Sequence, residues 1–229
     1  MGTALSVPPP ADEPCDAAAV AERQRAFELF DSLDPGRAFR WVEHAWFMYL
    51  RGGGADRARP VFRTALARVA DYGCVYGAWT HMEAAQPGGA AAARELFGEW
   101  RARCAADGGG EGAGRERAEF WDRYLAFELA HGGAERARAA AEAAVAACPR
   151  DAAVRARCVM AEAQLGDDER ARAAFDRARA DLAADADAEG RLTEAVRWEG
   201  GYLSEQWYGG CLGFCRGRWF RPLHWWEQL

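Results

Sequence analysis

The chain has 229 residues, of which 50% are hydrophobic and 28% charged, a balance that favours a packed globular protein over a disordered one. Its net charge is -6 and all 29 basic residues are arginine, so the composition excludes a generally basic nucleic-acid-binding surface. The seven cysteines are an odd number scattered along the chain, which argues against a secreted disulfide framework. No apolar run of about 18 residues predicts a membrane span.

The N-terminal part is predicted to contain a lead and one helix. Residues 1–20 form a predicted disordered lead, because their start combines three successive prolines with acidic residues and no apolar run. Residues 21–33 have helical apolar spacing and end before Asp34 and Pro35. We interpret this segment as the lone second helix of an incomplete leading unit, where it serves as an N-terminal cap.

A helical-hairpin signature follows four times: an aromatic-rich segment, a glycine-containing turn, and an Ala-Arg pair that opens an alanine-rich segment. The pairs are Ala58-Arg59, Ala93-Arg94, Ala137-Arg138 and Ala171-Arg172. The steps between them, from 58 to 93, 93 to 137 and 137 to 171, are 35, 44 and 34 residues. A period near 34 is typical of stacked helix-turn-helix units. Residues 105–118 are rich in glycine and are predicted to be a flexible insertion that explains the long step.

The third hairpin shows how such a unit is built. Trp121, Tyr124 and Phe127 lie on one face of its first helix, and alanines at helical spacing follow Ala137 in its second helix. Large rings facing small alanines allow two antiparallel helices to approach closely. One hairpin leaves apolar faces exposed, so the units must stack. The sequence therefore predicts an all-α fold over residues 21–182, a right-handed superhelical solenoid of antiparallel helix pairs.

An acidic residue recurs near the end of the first helix in three hairpins. The predicted pairs with the arginine of the same hairpin are Glu83–Arg94, Glu128–Arg138 and Glu162–Arg172. The first hairpin has Tyr49 at this position, so Arg59 is predicted to be unpaired or bound elsewhere. Two solvated charges at each turn are the alternative, and the recurrence favours the pairs.

These residues resemble the half-a-TPR (HAT) repeat, which pairs a Trp/Tyr/Phe-Glu first helix with a second helix carrying Ala-Arg. The fullest match is Trp121, Tyr124, Phe127, Glu128, Ala137 and Arg138. Within that family the second hairpin is similar to crooked-neck-like splicing scaffolds, through Tyr76, Trp79, Met82, Glu83, Ala93, Arg94, Leu96, Phe97 and Trp100. The resemblance covers about residues 40–180.

HAT proteins act in RNA metabolism, including pre-mRNA splicing, 3′-end processing, ribosomal RNA maturation and the stabilisation of organellar transcripts. The resemblance implies a nuclear, non-enzymatic scaffold that binds other processing factors, above all in pre-mRNA splicing. Crooked-neck-like proteins carry many more units than this chain. Two alternatives remain: a TPR-like protein-protein adaptor with no RNA role, and a factor for organellar RNA maturation or stability. They would place the protein in the cytoplasm or the chloroplast.

No catalytic, cofactor-binding or metal site is predicted. The four histidines, His44, His81, His131 and His224, stand singly in different parts of the chain, and exposed or turn-capping roles are expected for them. Cys211, Cys215 and His224 could donate to a metal ion. Their spacing is not that of a zinc knuckle and a fourth ligand is missing, so we do not predict zinc there.

Residues 190–229 are predicted to be a tryptophan-rich capping segment that folds over the apolar end of the array. Docking of a protein and direct contact with RNA are the alternatives, because aromatic rings beside arginines can stack bases and neutralise phosphates. The residues that would make such contacts are Arg216, Arg218, Trp219, Arg221, Trp225 and Trp226.

Overall fold

The computed structural model describes residues 17–107 and 113–207, and of residues 113–116 and 197–207 it describes the backbone alone. In those ranges the chain forms ten α-helices and no β-strand, so the predicted all-α class is confirmed. In chain order the helices are α1 (Ala17–Leu33), α2 (Ala38–Leu50), α3 (Ala55–Leu66), α4 (Tyr72–Ala84), α5 (Ala90–Ala106), α6 (Ala113–His131), α7 (Gly133–Ala147), α8 (Ala152–Gln164), α9 (Asp168–Leu182) and α10 (Ala186–Trp207).

The described chain divides into two compact units, residues 17–100 and 101–207, and the boundary falls within α5. In the first unit α1 packs on α2, α2 packs on α3, and α4 packs on both α2 and α3. In the second unit α6 packs on α7, α8 packs on both of them, and α9 packs on α8. Within each unit, a helix therefore contacts its hairpin partner and the hairpin that follows.

The predicted hairpins correspond to the pairs α2/α3, α4/α5, α6/α7 and α8/α9. Their turns use residues that suit a helix end. Gly133 begins α7 with a positive φ of 74°, a conformation that favours glycine. Asp151 and Asp167 cap α8 and α9, because their side chains accept backbone N–H groups that have no partner in the first turn.

Three boundaries differ from the sequence prediction. Helix α1 begins at Ala17, inside the predicted lead. The predicted insertion, residues 105–118, is helical at both ends, because α5 continues to Ala106 and α6 begins at Ala113. The alanines, arginines and glutamate of residues 113–118 are good helix formers, and they extend α6 towards its N-terminus. Residues 1–16 and 108–112 lie outside the described residues.

The core of each unit consists of aromatic rings packed against alanines. In the first unit Phe62 stacks on Trp79 with ring centroids 5.6 Å apart, and Ala58 is fully buried. In the second unit Trp121 and Ala137 are both buried, on the two helices of one hairpin. The small alanines let the helices approach closely enough to enclose the rings.

Helix α10 packs on α8 and α9 and covers their apolar residues. Leu192 of α10 and Leu182 of α9 are buried in one cluster with Ala152, Ala156, Ala178 and Ala188. The predicted capping segment, residues 190–229, begins inside this helix. Its remainder, from residue 208 onward, lies outside the described residues, as do Arg216, Arg218, Trp219, Arg221, Trp225 and Trp226.

The turn between α6 and α7 gives a first testable prediction. A Cβ added at Gly132 would lie 2.0 Å from Oε2 of Glu128, whose side chain is buried and cannot move into solvent. At Gly133 a Cβ would have nothing within 4 Å, so the destabilisation by alanine there comes from the positive φ. Gly132→Ala should therefore lower the free energy of unfolding by roughly 3 kcal/mol, and Gly133→Ala by about 1 kcal/mol. Urea unfolding of the two variants measures this order, and equal losses would contradict the placement of Glu128.

Candidate partner-binding cleft

The glutamate and arginine of the predicted signature meet between hairpins. Arg59 at the start of α3 binds Glu83 near the end of α4 through two hydrogen bonds, Nε to Oε1 and Nη2 to Oε2, both 2.8 Å long. Nε1 of Trp79 donates to the same Oε1 at 2.9 Å. These hydrogen bonds hold the pKa of the buried Glu83 carboxyl below its ordinary value, while burial acts in the opposite direction. The same contact raises the pKa of Arg59.

The second unit repeats the contact with the same separation. Nε of Arg138, in α7, donates to Oε2 of Glu162, in α8, at 3.1 Å. Its Nη2 also reaches Oδ2 of Asp167 at 3.4 Å. In both units the arginine and glutamate are 24 residues apart. The arginine that opens the second helix of one hairpin therefore binds the glutamate that ends the first helix of the next.

The predicted pairing within a hairpin is wrong. Glu83 binds Arg59 and not Arg94, and Glu162 binds Arg138 and not Arg172. The reason is geometric, because α3 packs on α4 and α7 on α8, so the arginine lies against the glutamate of the following hairpin. Arg172 is exposed, and among the described residues the structure records no ion pair for it. Glu128 is buried beside Gly132.

A second correction follows from Arg138. Its carboxylate partners within the described chain are Glu162 and Asp167, with Glu135 at 3.8 Å, and Glu128 is not among them. The prediction for Arg59 agrees with the structure, since it is bound outside its own hairpin. The other residues of the signature divide by burial: Trp79, Glu83, Trp121 and Glu128 are buried, Arg94, Tyr124, Arg138 and Glu162 are half-buried, and Arg172 is exposed.

A cleft of about 510 Å³ lies between α7, α8 and α9, and we call it the α7–α9 cleft. Each helix contributes residues at helical spacing, so one continuous face of each lines it. The walls between the charged residues are small and apolar, among them Ala141, Val145, Val159 and Ala174. A volume of this size is within the range of ligand-binding pockets.

Four arginines and three acids line the α7–α9 cleft. Arg138 is held by Glu162, as described above. Arg155 is buried; its Nη1 lies 2.8 Å from Oδ2 of Asp181, and its Nε donates to the carbonyl of Pro149 at 2.7 Å. Two of the four guanidinium groups are thus fixed in place by carboxylates of the same lining.

The remaining charged groups of the lining are Arg170, Arg177 and Glu142. All three side chains are exposed, and none has an ion-pair partner within the described part of the chain. The surplus charge of the cleft is therefore positive, with two open guanidinium groups on α9 and one open carboxylate on α7.

His44 occupies a different environment from the exposed or capping one predicted for it. It is buried, and its Nδ1 lies 2.7 Å from Oδ2 of Asp31, which is also buried. Phe27 stacks on its imidazole at a centroid distance of 5.1 Å. Asp31 and His44 border a cavity of about 350 Å³ between α1, α2 and α3. Within the part of the chain that the structure describes, Oδ1 of Asp31 and Nε2 of His44 have no hydrogen-bond partner.

This buried pair gives a second prediction. His44→Phe alone keeps the stack on Phe27 but leaves the Asp31 carboxylate buried without its partner, which should cost roughly 3–5 kcal/mol. Asp31→Leu combined with His44→Phe removes every polar atom of the pair and should cost less than the single change. Thermal unfolding of the three proteins tests this order. A double variant that is less stable than His44→Phe would show that the buried pair does not destabilise the fold relative to apolar side chains at these positions.

The described cysteines have the properties of small apolar residues rather than ligands or nucleophiles. Cys104, Cys148 and Cys158 are buried thiols. Burial raises the pKa of Cys148 and raises that of Cys158 to about 12, so the Cys158 thiol stays protonated at neutral pH. Across residues 17–107 and 113–207, no three metal-ligating side chains are grouped as a site. Cys211, Cys215 and His224 lie outside the described residues.

None of the helices in the described ranges combines the length and apolar character needed to cross a bilayer. No family model, characterised protein or solved structure that was compared with the chain matches it. The features that concern function are therefore its own: the repeated arginine–glutamate contact and the α7–α9 cleft. Arg170 and Arg177 of the cleft have helical spacing in the sequence, but a single sequence does not show which helices pack beside them.

Proposed function

We propose that this chain is a non-enzymatic helical-repeat scaffold in RNA processing, and that it binds other processing factors, most of all in pre-mRNA splicing in the nucleus. In this proposal its hairpins stack as a right-handed superhelical solenoid. The observation that supports it best is the repeated contact between consecutive hairpins, Arg59 with Glu83 and Arg138 with Glu162, each 24 residues apart.

The contact joins the first hairpin to the second and the third to the fourth at one separation, which supports the proposal that successive hairpins dock in the same way. Hairpins that dock in one way build an array whose units contact mainly their neighbours. Such arrays present side chains along a continuous surface, and scaffolds use that surface to hold partners. The α7–α9 cleft is a surface of this kind, since three successive helices line it.

The RNA-processing part of the proposal depends on the residues that resemble HAT repeats. Trp79 and Glu83 in the second hairpin, with Trp121 and Glu128 in the third, occupy the aromatic and acidic positions of that pattern. All four are buried in the structure, so they serve the architecture of the hairpins. The same residues are compatible with a TPR-like adaptor that has no RNA role. The cleft favours this second candidate, because none of the residues that the structure describes in its lining has an aromatic ring that could stack a base.

Proximity labelling with the full-length chain tests the proposal. The chain is fused to a biotin ligase and expressed at native level, and the biotinylated proteins are identified by mass spectrometry beside a ligase-only control. We expect enrichment of splicing factors and nuclear fluorescence of a tagged chain. Enrichment of chaperones, transport factors or cytoskeletal proteins without RNA-processing factors would overturn the RNA assignment and support the adaptor.

A matched variant sharpens the same experiment. Arg59→Ala weakens the docking of consecutive hairpins, whereas Arg57→Ala removes an exposed arginine from the same helix. If the docked array presents the binding surface, the first variant should lose labelled partners and the second should keep them. Equal labelling by both variants would show that partner binding does not require the repeated contact.

A further inference from the structure

We propose that the α7–α9 cleft binds an acidic peptide segment of a protein partner, one in which carboxylates flank a small aliphatic side chain. The inference rests on the proposed scaffold function, since it specifies the chemistry of the partner that such a scaffold would hold. It is carried by the charges of the cleft, by its apolar walls and by the fact that none of the described lining residues has an aromatic ring.

The first step concerns charge. Arg138 and Arg155 already have carboxylate partners, so they are not open to a ligand carboxylate. Arg170 and Arg177 have none among the described residues, and both are on the cleft-facing side of α9, seven residues apart. Two open guanidinium groups on one face, two helical turns apart, suit two separated carboxylates of an extended or helical peptide.

The second step concerns the space between those charges. The cleft is lined there by alanines, with Val145 of α7 and Val159 of α8 opposite α9. Alanine side chains leave room, and a ligand side chain that fills it would bury apolar surface against them. The volume of about 510 Å³ accommodates an aliphatic side chain together with adjoining backbone. A peptide with both carboxylates and an aliphatic residue uses both features.

The third step separates a peptide from RNA, whose phosphates would also be drawn to arginines. Single-stranded RNA is held by aromatic rings that stack its bases, and the described residues of this lining include none. Glu142 is the open carboxylate among the described residues of the lining, and it would repel a continuous row of phosphates. A peptide with a few spaced carboxylates can bind with none of them close to Glu142, whereas a continuous phosphate backbone cannot.

Selection from a phage-displayed library of random peptides, with the full-length chain as bait, tests the proposal without assuming a sequence. We expect the selected peptides to be enriched in aspartate and glutamate around leucine, valine or alanine. A selected peptide, labelled with fluorescein, is then measured by fluorescence anisotropy against the chain and its variants. Selection without acidic enrichment would overturn the inference.

The variants assign the binding to the cleft. Arg170→Glu with Arg177→Glu should weaken binding about tenfold or more. Arg136→Glu with Arg172→Glu makes the same change in net charge at exposed positions of α7 and α9 outside the lining, and should change it less than about twofold. Glu142→Gln should tighten binding, because it removes an unpaired carboxylate. Equal losses in the two double variants would indicate general charge attraction and overturn the site.

Two further measurements distinguish the proposed peptide site from an RNA site and from unfolding of the variants. Displacement of the labelled peptide by single-stranded oligouridylate at lower concentration than by the unlabelled peptide would assign the cleft to RNA and overturn the proposal. Circular dichroism of each variant confirms that the helices are intact. If proximity labelling finds no RNA-processing factors while the acidic peptides bind, the proposed function fails and this inference stands; the converse result overturns this inference alone.

Discussion

Trp79→Ala should lower the free energy of unfolding by roughly 3–5 kcal/mol, one of the largest losses that we expect from a single substitution. The indole is buried and stacks on Phe62, and the guanidinium of Arg63 lies 5.5 Å from the ring centroid. Truncation leaves a cavity between α3 and α4, which the surrounding helices can fill only in part. Guanidinium chloride unfolding followed by circular dichroism measures the loss.

Trp79→Phe separates packing from hydrogen bonding. Phenylalanine keeps a ring against Phe62 but cannot donate to Oε1 of Glu83, a bond of 2.9 Å in the wild type. Loss of that bond alone should cost roughly 1.5–3 kcal/mol, because the acceptor is a buried carboxylate. If the alanine variant is no less stable than the phenylalanine variant, the ring does not fill the space between α3 and α4.

The second large effect is expected at Arg59. Arg59→Ala leaves the Glu83 carboxylate buried with Trp79 as its remaining donor, and should cost roughly 3–5 kcal/mol. Glu83→Ala leaves Arg59, which is 40% exposed and can be hydrated, so it should cost less. The loss of unfolding free energy in the double variant should be smaller than the sum of the two single losses, because each single change leaves the other side chain without its partner. Additive losses would show that the two side chains do not interact.

The Arg59–Glu83 pair also predicts how the free energy of unfolding depends on pH. In the wild type the hydrogen bonds from Arg59 hold the pKa of Glu83 below its ordinary value. A carboxyl whose pKa is lowered on folding adds stability above its unfolded pKa, and this stability is lost as the pH falls through the folded pKa. The difference in unfolding free energy between the wild type and Glu83→Gln should therefore shrink as the solution is acidified from neutral pH. Chemical denaturation at several pH values measures it, and a constant difference would contradict the pairing.

The helices could be predicted from sequence because their signals are local. Trp121, Tyr124 and Phe127 show their helical face by spacing alone, and Gly133 marks the turn that follows. The glutamate–arginine partners could not be predicted from the sequence. Glu128 near the end of α6 and Glu162 near the end of α8 are both candidates for Arg138, and the sequence does not state which of them it binds. The structure assigns it to Glu162.

The buried pair and the cleft were missed for a related reason. Asp31 and His44 are 13 residues apart and on different helices, so no periodic pattern links them. Arg170 and Arg177 share a helical face that the spacing shows, but only the packing of α7 and α8 beside it turns that face into a cleft. Such features depend on tertiary packing, which a single sequence specifies only indirectly.

The arginine–glutamate contact also has a direction. The first hairpin offers Arg59 to the glutamate of the second, and the third offers Arg138 to the glutamate of the fourth, so each contact is head-to-tail and is not self-complementary. Tyr49 replaces the glutamate of the first hairpin, where its hydroxyl accepts a hydrogen bond from Gln86, and Arg172 of the last hairpin remains in solvent. An unmatched arginine costs little there because it stays hydrated, whereas an unmatched buried glutamate would be costly.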